Sequence, residues 1–262
     1  MSILTLPCPF PGHRWWNPGV LDIGDKTIMI YRLDDHDTGV ATIGADYGIS
    51  DVKNISHIFH PFCPEDVRLF RCGPNIGMLA TIYSFYNSRC KVYFIELDLN
   101  YRLLRMEKLE HPYSKDKFQK NWIPFIRDDS LYCISDHDPF TVLCYKQNHT
   151  QVIYTGPALR WGHGVIRGGT PPYRQDGLWH SFFHSSVLVN DVQVYYAGHY
   201  WFDDSFQTTL FSYPLLSGSP DLFTSFFHRK VSSIFPSGVL NDGKKWSIFY
   251  GYLDTDIKII EI

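Results

Sequence analysis

The segment Phe235-Pro236-Ser237-Gly238-Val239-Leu240 runs through Asp242-Gly243 into an alternating apolar stretch, Trp246–Tyr250. A polar or Gly-Pro opening, a short apolar strand, a tight turn and a second strand are the ingredients of one antiparallel hairpin. The same order recurs earlier in the chain. Asn17-Pro18-Gly19-Val20-Leu21 leads to Thr27–Arg32, and Glu65-Asp66-Val67-Arg68-Leu69-Phe70 leads to Met78–Phe85. Lys120-Asn121-Trp122-Ile123-Pro124-Phe125 passes Asp128-Asp129-Ser130 into Leu131–Ser135, and Gly168-Gly169-Thr170-Pro171-Pro172-Tyr173 passes Asp176-Gly177 into Leu178–His184. Five openings at roughly 50–70-residue intervals match one four-stranded blade plus loops each. Such a blade cannot bury both faces alone, so blades stack in a ring.

The rest of the chain agrees. Strand-like runs continue at Lys91–Leu97, Thr141–Tyr145, Gln193–His199, Thr209–Tyr213 and Ile257–Ile262, whereas helical signals are poor throughout. The expected fold is all-β, a five-bladed propeller of four-stranded antiparallel blades, forming one domain over residues 1–262. Ring closure is expected to use Ile257–Ile262 with a strand from the other end of the chain. Polar residues that open each repeat would converge on the mouth of a central channel.

Composition narrows the function. Net charge is −3 with a pI near 6.4, which leaves no basic footprint for nucleic acid. No apolar run approaches the ~20 residues of a membrane span. The N-terminal stretch lacks a basic n-region and a long h-region, so it does not read as a signal peptide. Six cysteines are scattered without a C-x-x-C pair. That pattern argues against a zinc cage and for reduced thiols in the cytoplasm. Asp34-Asp35-His36-Asp37 reads as a solvated loop rather than a metal site, and no cofactor is expected. The aromatic content, 16%, mainly fills sheet interfaces, but it also supplies flat apolar faces of the kind on which sugar rings stack.

Four of the openings resemble glycoside hydrolase family 130, the mannoside phosphorylases and β-mannosidases, which are five-bladed propellers. Phe235-Pro236-Ser237-Gly238 followed by Tyr250-Gly251-Tyr252-Leu253-Asp254-Thr255 is similar to that family's Phe-Pro-x-Gly and Tyr-Gly-x-x-Asp-Thr pair. Gly169-x-Pro171-Pro172 running to His184, Glu65-Asp66-Val67-Arg68 and Asn17-Pro18 resemble three further motifs. Val67 stands where the family has proline, and Arg167 stands near an expected lysine with the register shifted.

The resemblance implies an inverting phosphorylase or hydrolase acting on β-linked mannosides or similar hexosides. Asp66 is then the acid, its proton reaching the leaving oxygen through a hydroxyl of the sugar. Asp254 and Asn17 are implied to bind sugar. Strand alternation turns Glu65 away from Asp66 and puts Arg68 on its side, where Arg68 could orient the carboxylate, contact substrate or simply brace the blade. Lys120, Arg167 and His184 are candidates for holding inorganic phosphate as co-substrate, and Arg32 is a further candidate for substrate. Phosphorolysis is favoured because cations outnumber spare carboxylates at the openings. Two other readings stay open: a mannosyltransferase with a phosphate-activated donor, and a non-catalytic carbohydrate-binding propeller.

Overall fold

The computed structural model describes residues 1–34, 37–84, 89–113, 119–226 and 229–262. The described strands form five sheets, arranged as propeller blades. The first holds Trp15–Asp22, Thr27–Leu33, Asp37–Ile43 and Ile49–Asn54; the second holds Pro64–Cys72, Asn75–Ser84, Arg89–Leu97 and Leu103–Leu109. The third holds Ile123–Arg127, Ser130–His137, Phe140–Lys146 and His149–Thr155. In the fifth, Ile234–Asn241, Trp246–Tyr252 and Asp256–Glu261 are joined by Ser2–Thr5, whose pairing sets Ser2 against Glu261 and Thr5 against Lys258. Ring closure by strands from both ends of the chain is therefore present. Among the described residues the only helical element is a 3₁₀ turn at Ser56–Ile58, and no helix among them is long and apolar enough to cross a membrane.

The fourth sheet departs from the expected four strands. It has seven, because residues between Phe202 and Ile234 return as short strands at Thr208–Leu210, Leu216–Ser217, Thr224–Phe226 and Arg229–Ser232. Arg229–Ser232 runs parallel to Val192–Val194, a further departure from a purely antiparallel blade. The strand expected over Thr209–Tyr213 ends at Leu210; Phe211 and Tyr213 are exposed.

Blades stack through apolar layers. Ile30, Val40, Val67, Met78 and Ile95 join the first two blades, while Phe125, Ile134, Phe183 and Phe202 join the third and fourth. At the hub, neighbouring innermost strands come close enough to require glycine. A Cβ on Gly168 would lie 1.9 Å from the carbonyl oxygen of Asn121, and one on Gly238 would meet Val20 at 2.6 Å. The Gly-rich openings are thus the price of a tight hub. Across the closing seam, Ser237 Oγ donates to the Pro18 carbonyl at 2.8 Å.

Candidate active site

Two innermost strands break register at equivalent places. In the first blade the shift falls between Trp16 and Gly19, and in the second between Glu65 and Arg68. The residues inside these bulges are Asn17, at φ +50°, and Asp66, at φ +54°. Asn121, just ahead of the third blade's innermost strand, has φ +61°, and Asp254, in the turn before Asp256–Glu261, has φ +53°. Asn and Asp tolerate this left-handed region better than other non-glycine residues. Bulges re-aim side chains, and here all four residues line one cavity of about 580 Å³ at the mouth of the channel.

Inside it, Asn17 Nδ2 donates to Asp66 Oδ1 at 2.7 Å. Arg32 reaches Glu65 Oε1 at 3.1 Å and lies 3.9 Å from Asp66 Oδ1, with its guanidinium 4.9 Å from the Trp16 ring centre. Arg14 approaches the same ring at 5.4 Å. Asp254 accepts from Ser233 Oγ at 3.0 Å. Burial, reinforced by the nearby Asp66 charge, raises the Asp254 pKa above the ordinary carboxylate value even though the Ser233 hydrogen bond works the other way.

The bulge overturns two expectations drawn from strand alternation. Glu65 lines the cavity with Asp66 rather than facing away. Arg68 turns into the hub and does not line the cavity. It is 1% exposed; its Nε donates to the Gly169 carbonyl at 3.0 Å and its Nη2 to the Gly168 carbonyl at 3.2 Å and Asn121 Oδ1 at 3.4 Å. Nη1 donates to the Asp66 carbonyl, and the guanidinium lies 4.9 Å from the Phe235 ring centre. Burial lowers its pKa to about 10, so it stays charged at neutral pH. These bonds brace the hub and hold the backbone of Asp66.

Lys120, Arg167 and His184 form another part of the wall. Arg167 and His184 pair through backbone hydrogen bonds of 2.8 and 3.2 Å. The Arg167 guanidinium lies 5.4 Å from the Tyr195 ring centre and donates to Ser186 Oγ. His184 stacks on Tyr195 at 5.8 Å and packs against Phe235 at 4.4 Å. Burial, with Arg167, Arg68 and Lys120 nearby, pushes its pKa well below the usual imidazole value. His184 is therefore neutral, not the cation that sequence alone allowed for. Its Nδ1 is buried without a hydrogen-bond partner among the described residues.

Every nominated residue except Arg68 meets in this cavity. Sequence reasoning missed Trp16, Arg14, Glu65, Asn121 and Tyr195 as lining groups. Trp16 and Asn121 adjoin nominated residues in two openings, so their positions were readable; Tyr195 comes from the adjacent strand and carries no local signal. Asp35 and His36 of the acidic stretch lie outside the described residues, while Asp34 is paired with His13 at 2.5 Å. Among the described residues no group of three or more His, Cys, Asp or Glu is placed to hold a metal ion.

Comparison of the sequence with protein-family models and with curated proteins finds no match. The fold does have solved counterparts. The β-1,2-mannobiose phosphorylase of Listeria innocua, in complex with β-1,2-mannobiose, superposes with a TM-score of 0.69 at 13% identity, over 100% of this chain and 97% of that one. A structure from the GH130 family of mannoside phosphorylases, which contains glycoside hydrolases that target β-1,2 mannosidic linkages in Candida mannan, gives 0.67 at 15% identity over 95% and 84%. The GH43_1 enzyme from Xanthomonas citri, bound to xylose, gives 0.66 at 10% identity over 99% and 90%. The fold is thus a propeller shared with proteins that carry glycoside chemistry.

Proposed function

We propose that this chain is an enzyme that cleaves a β-mannosidic or similar hexosidic bond with inversion, passing the sugar to inorganic phosphate. The observation that carries this reading is the meeting of Asp66, fixed by Asn17, with Asp254 and the Lys120–Arg167–His184 wall in one cavity. Inverting cleavage needs an acid for the leaving oxygen and a nucleophile on the opposite ring face. Asp66 supplies the proton, directly or through a sugar hydroxyl. A phosphate oxygen bonds to the anomeric carbon as the glycosidic C–O bond breaks, and the departing oxygen keeps the proton. Lys120 and Arg167 hold the phosphate charge, and neutral His184 donates to or accepts from one of its oxygens according to tautomer.

Asp254 and Asn17 suit vicinal sugar hydroxyls. Phosphorolysis is favoured over hydrolysis because Lys120, Arg167 and His184 offer an anionic nucleophile its partners in the cavity. Water would need a carboxylate as base, and Glu65 is tied to Arg32. The reading requires no cofactor and places the protein in the cytoplasm, where phosphate is abundant.

The test is product analysis of wild type and Asp66→Asn with a panel of β-mannobioses, with and without phosphate. Mannose 1-phosphate formed only with phosphate, and reduced about 10²–10⁴-fold in the variant, is the expected result. Free mannose without phosphate would make the protein a hydrolase. No turnover in either condition would favour a transferase using a phosphate-activated donor, or a sugar-binding propeller.

A further inference from the structure

A second cavity, of about 550 Å³, opens between the third and fourth blades and shares Lys120, Asn121 and Arg167 with the first. The segments before two adjacent innermost strands therefore form a common wall, and the mouth of the propeller extends sideways into a trough. Together the two spaces exceed the usual volume of a single small-molecule pocket, about 300–1,000 Å³.

The outer part of the trough is shaped by another bulge. Register shifts between Ile134 and Asp136 in the third blade, and both Ser135 and Asp136 line the second cavity. Asp136 accepts from the backbone N–H groups of His137 at 2.7 Å and Asp138 at 3.1 Å. Both bonds fall on Oδ1, so Oδ2 is left for a ligand. Thr155 adds a hydroxyl from the edge strand of the same blade, and Val165, 69% exposed, brings an apolar side chain from the approach to the fourth blade. A fixed carboxylate, hydroxyls and a small apolar surface are complementary to a neutral polyol, which offers vicinal O–H donors and C–H faces.

We infer that this second cavity is a saccharide subsite, and that the chain recognises an oligosaccharide of three or more units, with a sugar beyond the reacting pair seated against Asp136 and Thr155. This inference rests on the glycoside reading of the first cavity and adds the length of its substrate.

The test is titration calorimetry with β-mannobiose and β-mannotriose of one linkage on wild type, Asp136→Asn and Thr155→Trp. Asn at 136 keeps an oxygen for the two backbone N–H groups, and position 155 is exposed, so both variants retain the fold. Wild type is expected to bind the trisaccharide at least about tenfold more tightly than the disaccharide, the discrimination carried by hydrogen bonds to a charged group. Each variant should lower trisaccharide affinity to the disaccharide level while leaving disaccharide affinity unchanged. Equal binding of the two saccharides by wild type, or variants that weaken both alike, would overturn the subsite and leave the first cavity's reading intact. If neither saccharide binds wild type, the mannoside reading falls and the subsite with it.

Discussion

Asn17 and Asp66 are 49 residues apart in sequence, yet Nδ2 of one donates to Oδ1 of the other at 2.7 Å. Both occupy left-handed bulge positions on innermost strands of neighbouring blades. The bond exists because the same backbone irregularity is repeated around the hub. Removing its donor by Asn17→Ala should lower kcat by about tenfold or more through misorientation of the carboxylate. Substrate affinity should fall as well. A steady-state comparison with Asp66→Asn checks this: the double variant should be no worse than Asp66→Asn alone in kcat, because the two groups act as a unit.

Arg68 should matter for stability before it matters for kinetics. Replacing it with Met keeps much of the volume but strands the carbonyls of Gly168, Gly169 and Asp66 in the hub. The expected loss is about 3 kcal/mol or more, read from urea unfolding. Arg68→Lys should rescue little, since an ammonium cannot reproduce the planar fork that spans these acceptors.

Asp254 gives a pH signature opposite to that of a stabilising ion pair. Its folded-state pKa is raised, chiefly by burial, so its contribution to stability is full below the ordinary carboxylate pKa and is lost as pH rises through the raised value. Asp254→Asn should therefore melt at a higher temperature than wild type near neutral pH, with the advantage shrinking as pH falls toward 4. Turnover should be lost at every pH. Thermal melts of both proteins across pH 4–8 decide the point.

Acid unfolding should begin with histidines rather than carboxylates. Burial lowers the His137 pKa from 6.5 to about 3 and that of His199 to about 4, and His184 also falls well below its ordinary value. Each stays neutral when folded and binds a proton when unfolded, so stability present above pH 6.5 is lost as pH drops toward the folded values. Each group contributes a slope of up to about 1.4 kcal/mol per pH unit in that window. Urea midpoints at pH 7, 6 and 5 should show the decline, and His137→Gln should make it shallower.

Much of the hub was legible in the sequence, because tight approach of innermost strands demands Gly, Pro and small polar residues at fixed places. Gly168 and Gly238 marked openings for that reason. The peripheral strands were harder to see. Ile49–Asn54 is largely exposed, Leu103–Leu109 is exposed or half-buried up to its last residue, and both carry mixed charge, so neither alternation nor hydrophobicity marks them. The extra strands of the fourth sheet are only two to four residues long, too short for any periodic signal.

In the site, residues carried by the openings were found, and their orientation was not always right. Alternation has a period of two, so the extra residue of a bulge inverts every inference beyond it. Glu65 and Arg68 flank such a residue and both were assigned to the wrong side. Tyr195 was invisible because only the folded register sets it beside Arg167.

The guanidinium of Arg68 also couples parts of the chain that lie far apart in sequence. It bonds to the backbone of Asp66 in the second blade and to that of Gly168 and Gly169, about 100 residues on, and it packs on Phe235 of the fifth blade. Unseating that one side chain should loosen three blades together rather than one.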